Sequence, residues 1–470
     1  MGGEEKLRSL ERIQIEGIGH TYYLEQSERP EGPWLVNYNQ VTELRDYRQQ
    51  RLRRTTLNRN IQSGEWTKGT TLVVADGTAA YKAGERFFPA SPSQLVDADE
   101  ALALSPDHVL LTALEAKDLH LEKDSALQGT AQHVVAFTWR EATARIYLSA
   151  QTEMPTAIEF VRAYPASIFW NVWGDVTTRI YLSLWTIESG GLRYPRQLNV
   201  ERNGTQYQEF TVTSLSSNPA SDADAFSIPA EVKKVYDSIS TKTVKDIPFG
   251  QPNRLPVEVA PGVVSIAGSW NVTLVHQADG VVIIEAPISP EYSASVLAET
   301  QKRFPGSPIK AVISTSDAWP HLGGIREYVA RHIPIYALDL NRPILERVIT
   351  TPHHLSPDAL EQSRAKPRFI VVANKTVVGA GPNRMELYPI RSETGERMIM
   401  IYFPEHKLLY GSDLAQARQD GSFAMPEYLV ELSEAVKREK LNVSHLFAMH
   451  MAARPWTDIE AAVARASTSK

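Results

Sequence analysis

Between residues 131 and 232, apolar and polar positions alternate with a period near two. The runs 134–139, 144–148, 157–162, 179–187 and 198–201 are rich in β-branched and aromatic residues. This is the pattern of half-exposed antiparallel strands. Asn203-Gly204 falls between two such runs and predicts a type I′ hairpin; Gly190-Gly191 predicts a second turn. Residues 5–62 read as more helical, with Leu7, Leu10, Ile13, Tyr47 and Leu52 in apolar positions, and Arg51-Leu52-Arg53-Arg54 reads as a solvated helix face. The first half is therefore expected to be a curved, mainly antiparallel sheet with helices against one face. A polar, proline-containing stretch at 238–256 reads as a linker, dividing the chain into 1–237 and 257–470.

After Val257 the rhythm changes to strand-helix-strand. The continuous apolar run 281–285 suits a strand buried on both faces. The chain then predicts a helix at 290–304, a strand at 309–315, a helix at 321–332 and a strand at 333–339. Further strands are expected at 369–374, 385–390, 398–404 and 407–413, then a helix at 426–440, a strand at 443–450 and a last helix capped by Thr457. Sheets flanked by helices on their outer faces make a layered α/β domain.

Composition narrows the class. The 470 residues are 43% hydrophobic and 22% charged, ordinary for a globular protein, and the net charge of −6 argues against a nucleic-acid partner. With no cysteine, disulfides, thiolate ligands and cysteine nucleophiles are excluded. No apolar run approaches the roughly 18 residues of a membrane helix. Met1-Gly2-Gly3-Glu4-Glu5 has no charged-then-apolar signal pattern. It reads either as the start of a mature chain whose leader has been removed, implying a periplasmic or secreted protein, or as a cytoplasmic start.

Candidate chemistry gathers at predicted strand ends, where loops bring distant residues together. His321 follows the strand 309–315 and opens a helix, Asp413 ends the strand 407–413, and His450 ends the strand 443–450. Two imidazoles and a carboxylate form a ligand set for zinc or a similar divalent ion and leave a position open for water. Taken singly, each also has a plain structural reading as a cap or turn residue. Asp317 is either a ligand or general base on a bound water, or a loop aspartate satisfied by backbone N–H groups. Trp319 reads as core, His353-His354 as a surface loop and His445 as a buried structural histidine. A Gly-x-Ser-x-Gly elbow is absent, and Gly379-Ala380-Gly381 lacks the context of a dinucleotide motif.

Two resemblances extend this reading. Residues Gly17-Ile18-Gly19-His20-Thr21-Tyr22-Tyr23, the strand series and Asp224-Ala225-Phe226-Ser227-Ile228-Pro229 resemble the periplasmic lipoprotein-carrier (LolA-like) half-barrel, which implies a concave apolar surface. The segments 260–266 and 280–286, Ile313-Ser314-Thr315-Ser316-Asp317-Ala318-Trp319-Pro320-His321-Leu322-Gly323-Gly324, 404–413 and Phe447-Ala448-Met449-His450 are similar to the metallo-β-lactamase superfamily. That resemblance implies an αββα sandwich and hydrolysis at metal held by a Thr-His-x-His-x-Asp-His motif. Here Ser316, Ala318 and Pro320 stand at three of the motif's ligand positions, and Glu393–396 carries no histidine. Glu285 stands for the family's strand-end aspartate. The resemblance leaves three outcomes: one metal on His321, Asp413 and His450; a harder ion such as calcium, served by carboxylates including Asp317; or no metal. The leading expectation is a metal-dependent hydrolase of an ester or lactone, with Asp317 handling the proton and an acyl-chain-bearing small molecule, such as an acyl-homoserine lactone, as substrate. The alternative is a non-catalytic binding or sensing protein with a vestigial site.

Overall fold

The computed structural model describes residues 1–24, 34–59, 66–222, 224–251, 253–418 and 420–468. They form two compact units. The first comprises Met1–Leu24, Leu35–Ser167 and Gly174–Thr243; the second is chiefly Ile168–Trp173 and Val244–Lys470.

The first unit is built on a thirteen-stranded antiparallel sheet among the described residues. Its opening strand, Arg12–Tyr23, lies in the middle, between Leu35–Asp46 and the last strand, Thr205–Ser217. The chain meanders from there to one edge at Arg86–Pro89. It then forms the helices Pro92–Ala103 and Val109–Glu115, restarts at the other edge with His120–Leu127 and meanders back. The helical reading of 5–62 is corrected: among the described residues of this range only Glu4–Arg8 forms an α-helix, and Arg12–Tyr23, Leu35–Asp46 and Arg51–Arg59 are strands. Ile13, Ile15 and Gly17 alternate inward, a period of two. The arginine run is likewise a strand rather than a helix face. Arg51 Nη2 pairs with Asp46 Oδ2 at 3.0 Å, and Arg54 pairs with Glu43 across the same hairpin. The Asn203-Gly204 hairpin forms as expected, with φ of 50° and 75° at its two central residues.

The second unit stacks two sheets. In the seven-stranded sheet, Val257–Ala260, Val263–Ile266, Val272–Gln277 and Gly280–Ile284 are antiparallel. Ile309–Ser314, Ile335–Leu338 and Phe369–Val372 then add in parallel. The six-stranded sheet runs from Thr376–Val378 to Met451–Pro455, with one parallel pair, Leu408–Tyr410 and His445–Ala448. Strand Ile399–Phe403 shows why its sequence is apolar throughout: Ile399, Ile401 and Phe403 pack between the sheets. Met400 and Tyr402 face outward, against Leu429, Leu432 and Ile459 of the helices Pro426–Arg438 and Trp456–Thr468. On the first sheet, Ile283, Val312 and Ile335 are buried, as are Tyr292, Val296 and Val329 of the helices Pro290–Arg303 and Ile325–Ala330. An antiparallel sheet domain with helices thus precedes an α/β sandwich that resembles the metallo-β-lactamase fold in its strand and helix order. Thr457 sits inside the final helix rather than capping it. Among the described residues no helix is long and apolar enough to cross a membrane.

Candidate metal centre

Three loops at the ends of these strands carry the candidate ligands. The first leaves Ile309–Ser314 through Thr315-Ser316-Asp317-Ala318 and enters a four-residue helix, Trp319–Leu322. The expected helix 321–332 is split here. His321 lies inside the first short helix, and Gly323-Gly324 separates it from Ile325–Ala330. The split follows from close backbone approach: a side chain on Gly323 would collide with the Ile288 carbonyl, and one on Gly324 with Ser293 Oγ and the Ser289 carbonyl. Gly324 N–H donates to Ala286 O and Ile288 N–H to Pro320 O, each at 2.8 Å, pinning the ligand helix to the 286–289 loop. Gly324→Ala is expected to lower stability by about 1–3 kcal/mol, the usual cost of overpacking, and a urea titration measures it.

The second loop follows Leu408–Tyr410 and places Asp413 three residues beyond the strand. Ser412, at φ 52°, hydrogen-bonds Thr315 Oγ1 at 2.7 Å and donates to Thr315 O at 3.1 Å, tying the first two loops together. The third loop is the turn between His445–Ala448 and Met451–Pro455, which holds His450. Asn271 fastens a fourth segment to it, with its N–H on Met449 O and its side chain on Ala448 O.

The structure brings His321, Asp413 and His450 together: one donor atom from each lies within 4.8 Å of the others. His450 Nε2 is 2.9 Å from Asp413 Oδ1, and His321 Nε2 is 3.9 Å from Asp413 Oδ2. Gln416 Nε2 donates to Asp413 Oδ1 at 2.9 Å and to its carbonyl at 3.1 Å. The Trp270 ring stands 6.4 Å from each imidazole, edge-on. Burial pushes His321 down to about 4, so this imidazole is neutral at neutral pH. Burial opposes ionisation of Asp413, but the two imidazoles and the Gln416 amide outweigh it and hold the carboxyl below its usual range. A neutral imidazole at His321 and an ionised carboxylate at Asp413 are the forms in which these groups bind a divalent ion. His321 Nδ1 is buried and makes no hydrogen bond among the described residues. The donor set therefore fits a divalent metal.

Asp317 lies outside this trio. Its buried carboxylate faces Arg397 Nε at 3.9 Å. Trp319 is core, edge-on to Trp170 and Trp173 at 5.2 and 4.9 Å. Two histidine expectations are corrected. His353 is buried beside Asp358 rather than in a surface loop, although its neighbour His354 is exposed; His445 is exposed, at the first residue of its strand next to Ser444. Trp270 and Gln416 were not singled out in the sequence. Their only signal is position, one in the turn after Val263–Ile266 and one three residues past Asp413.

Behind the trio lies Glu285, fully buried at the end of Gly280–Ile284 in a left-handed conformation, φ 77°. Thr315 and Tyr410 hydroxyls donate to its Oε1, the latter at 3.1 Å, while Oε2 has no partner among the described residues. Burial raises this carboxyl from its usual 4.5 to about 7, against the pull of the two hydroxyls. Between these values the folded chain keeps a proton that the unfolded chain releases, so stability falls as pH rises through that window. Glu285→Gln removes the titration. Relative to wild type, the variant is expected to gain roughly 3 kcal/mol between pH 4.5 and 8, at about 1.4 kcal/mol per unit. Urea denaturation at the two pH values checks this, and a pH-independent difference refutes it.

No family model matches the chain, and no curated protein does. Several solved structures are similar to it. The stereoselective inverting sec-alkylsulfatase Pisa1 from Pseudomonas sp. is 15% identical, with a TM-score of 0.35, over 46% of this chain and 40% of its own. The DIM-1 metallo-β-lactamase is 14% identical, with a TM-score of 0.36, over 47% of this chain and 99% of its own. FIM-1 from Pseudomonas aeruginosa, in a mono-zinc form, is 13% identical, with a TM-score of 0.36, over 47% of this chain and 98% of its own. The chain spans about two fifths of the sulfatase's length. The second unit resembles the metallo-β-lactamase fold, and His321, Asp413 and His450 are the group in it that could hold a metal ion among the described residues.

Proposed function

We propose that this chain is a metal-dependent hydrolase acting on an ester or lactone bond at a single divalent ion held by His321, Asp413 and His450. The observation that carries the reading is the convergence of these three donors, from three separate loops, at distances a single ion could span. When bound, such an ion supplies an activated water and polarises an acyl carbonyl. Two imidazoles and one carboxylate favour zinc over calcium, which prefers six to eight oxygen ligands.

The chain's own residues do the rest. Gln416 holds Asp413 in place, and Trp270 covers the edge of both imidazoles. A groove of about 620 Å³ runs beside His450, walled by Leu255, Val257, Ala424 and Met449 and carrying Arg254. It suits an acyl-chain-bearing substrate, including an acyl-homoserine lactone, better than a highly charged one. We assign the proton of the attacking water to Asp317, which lies outside the trio and faces Arg397 but sits in the loop that leads into the His321 helix. Asp317→Asn is expected to lower kcat about 10²–10⁴-fold with a smaller change in KM, as loss of a general base does. An unchanged kcat removes Asp317 from the mechanism.

The reading is tested by elemental analysis of the purified protein, followed by assays on a panel of aryl esters, lactones and acyl-homoserine lactones before and after chelation. One equivalent of metal and turnover lost on chelation are expected. Ser316, Ala318 and Pro320 at ligand positions favour a second reading, a binding or sensing protein with a vestigial site. Absence of metal and of turnover on every substrate would decide for it.

A further inference from the structure

The first unit contains a cavity that the proposed hydrolysis does not use. It encloses about 620 Å³ between one face of the antiparallel sheet and the helix Pro92–Ala103, within the roughly 300–1,000 Å³ typical of small-molecule sites. The lipoprotein-carrier resemblance implies an apolar lining, but this lining is mixed, with polar and apolar side chains sharing it about equally. Asn37, Asn39, Glu43 and Arg45 project from alternate positions of one strand, and Arg54 and Asn58 from its neighbour. Phe160, Ile180, Leu198, Val200 and Phe210 form an apolar wall of comparable extent.

The charges inside are arranged in a way that selects the ligand. Each guanidinium in the lining already has a carboxylate. Arg45 Nε lies 2.6 Å from Glu43 Oε1, Arg54 also pairs with Glu43, and Arg202 Nη2 lies 3.6 Å from Glu100 Oε2. Arg202 is further held between the rings of Tyr164 and Tyr207, at 4.6 and 4.5 Å. The cavity therefore offers no unclaimed cation to an anionic ligand. Asp97 is different: its carboxyl lines the cavity and makes no hydrogen bond or ion pair among the described residues. Burial pushes it above the usual carboxylate range despite the nearby arginines. Such a group calls for a ligand that donates hydrogen bonds without bringing charge. An alkyl chain would strip water from Asn39, Glu43 and Asp97 and return no hydrogen bond.

We propose that this cavity binds a neutral, hydroxyl-rich ligand of the saccharide class, whose hydroxyls donate to Asp97 and bond the asparagine amides while its C–H face lies on the apolar wall. The Asp97 carboxyl on the helix and the amides on the facing sheet match vicinal hydroxyls. Phe160, Leu198 and Phe210 match the apolar face of a pyranose.

The test uses the full chain, fluorescently labelled, on an array of neutral mono- to tetrasaccharides, with titration calorimetry on each positive glycan. Palmitate and inorganic phosphate are titrated in parallel. Binding of at least one neutral glycan is expected, weakened tenfold or more by Asp97→Ala. Asn58→Leu, at a half-buried position of the same lining, is expected to weaken binding comparably and serves if the Asp97 variant melts early. Binding of no glycan above background overturns the proposal. So does binding of palmitate or phosphate in place of glycans, or glycan binding unchanged in both variants.

Discussion

Asp413→Ala is expected to empty the metal centre and to lower kcat/KM by more than 100-fold. Asp413 is the carboxylate of the trio and stands between both imidazoles, 2.9 Å from His450 Nε2 and 3.9 Å from His321 Nε2. Without it two imidazoles remain, below the three protein ligands typical of a catalytic zinc site. His321 stays neutral without Asp413, because burial alone keeps it so, and therefore gains no charge to compensate. Gln416→Ala provides the graded comparison. It removes a hydrogen bond to Asp413 but no donor to the metal, so a loss of about 10–100-fold in affinity or activity is expected, the usual effect of deleting an outer hydrogen-bond partner. Metal content after dialysis and kcat/KM on the best substrate measure both variants. Full metal occupancy and unchanged turnover in the Asp413 variant would remove the trio as the site of chemistry.

The largest effect on stability is expected from Arg326→Ala, at about 3–5 kcal/mol, the range for breaking a buried ion pair by removing one partner. Arg326 is almost completely buried in Ile325–Ala330. Its Nε and Nη2 donate to the two oxygens of Asp358 at 2.5 and 3.0 Å. Its Nη1 donates to the carbonyls of Ile349 and Thr351 at 2.6 and 3.1 Å. The alanine variant leaves a buried carboxylate without its guanidinium, with only the Glu361 N–H and His353 beside it among the described residues, and takes this donor from two carbonyls. It also loosens the loop carrying His353, whose Nδ1 lies 3.9 Å from Asp358. Arg326→Leu combined with Asp358→Leu removes both charges together and is expected to recover part of the loss. Denaturation midpoints of the single and double variants measure this. A double variant no more stable than Arg326→Ala would show that the carbonyl contacts, rather than the ion pair, carry the effect.

Much of the second unit was legible because its elements are local. The runs behind Gly280–Ile284 and Ile399–Phe403 are apolar at every position, since both faces of these strands are buried, and such runs read as interior strands wherever they pair. The first sixty residues were not legible in the same way. Strand Arg12–Tyr23 pairs Ile13 with Ser217, about two hundred residues on, and with Arg45 on its other side, and these pairings, not local spacing, make it a strand. The spacing of Leu7, Leu10 and Ile13 suggested a helix, yet these residues span a five-residue helix, a turn and a strand that share one core cluster. Arg51–Arg54 looked solvated because Glu43 and Asp46, their partners, become neighbours only through the hairpin.

The metal centre divides along the same line. Sequence alone determined which donors exist: no cysteine, Ser316, Ala318 and Pro320 in place of three ligands, and His321, Asp413 and His450 at strand ends. Residue identity decides what can ligate, and it is written in the chain. Tertiary structure decided which donors meet. It brought the trio within 4.8 Å, set Asp317 against Arg397 instead, and placed Trp270 and Gln416 around the ligands. It also decided protonation, since His321 and Glu285 depart from ordinary behaviour through burial, and burial belongs to the packed sheets and not to any stretch of sequence.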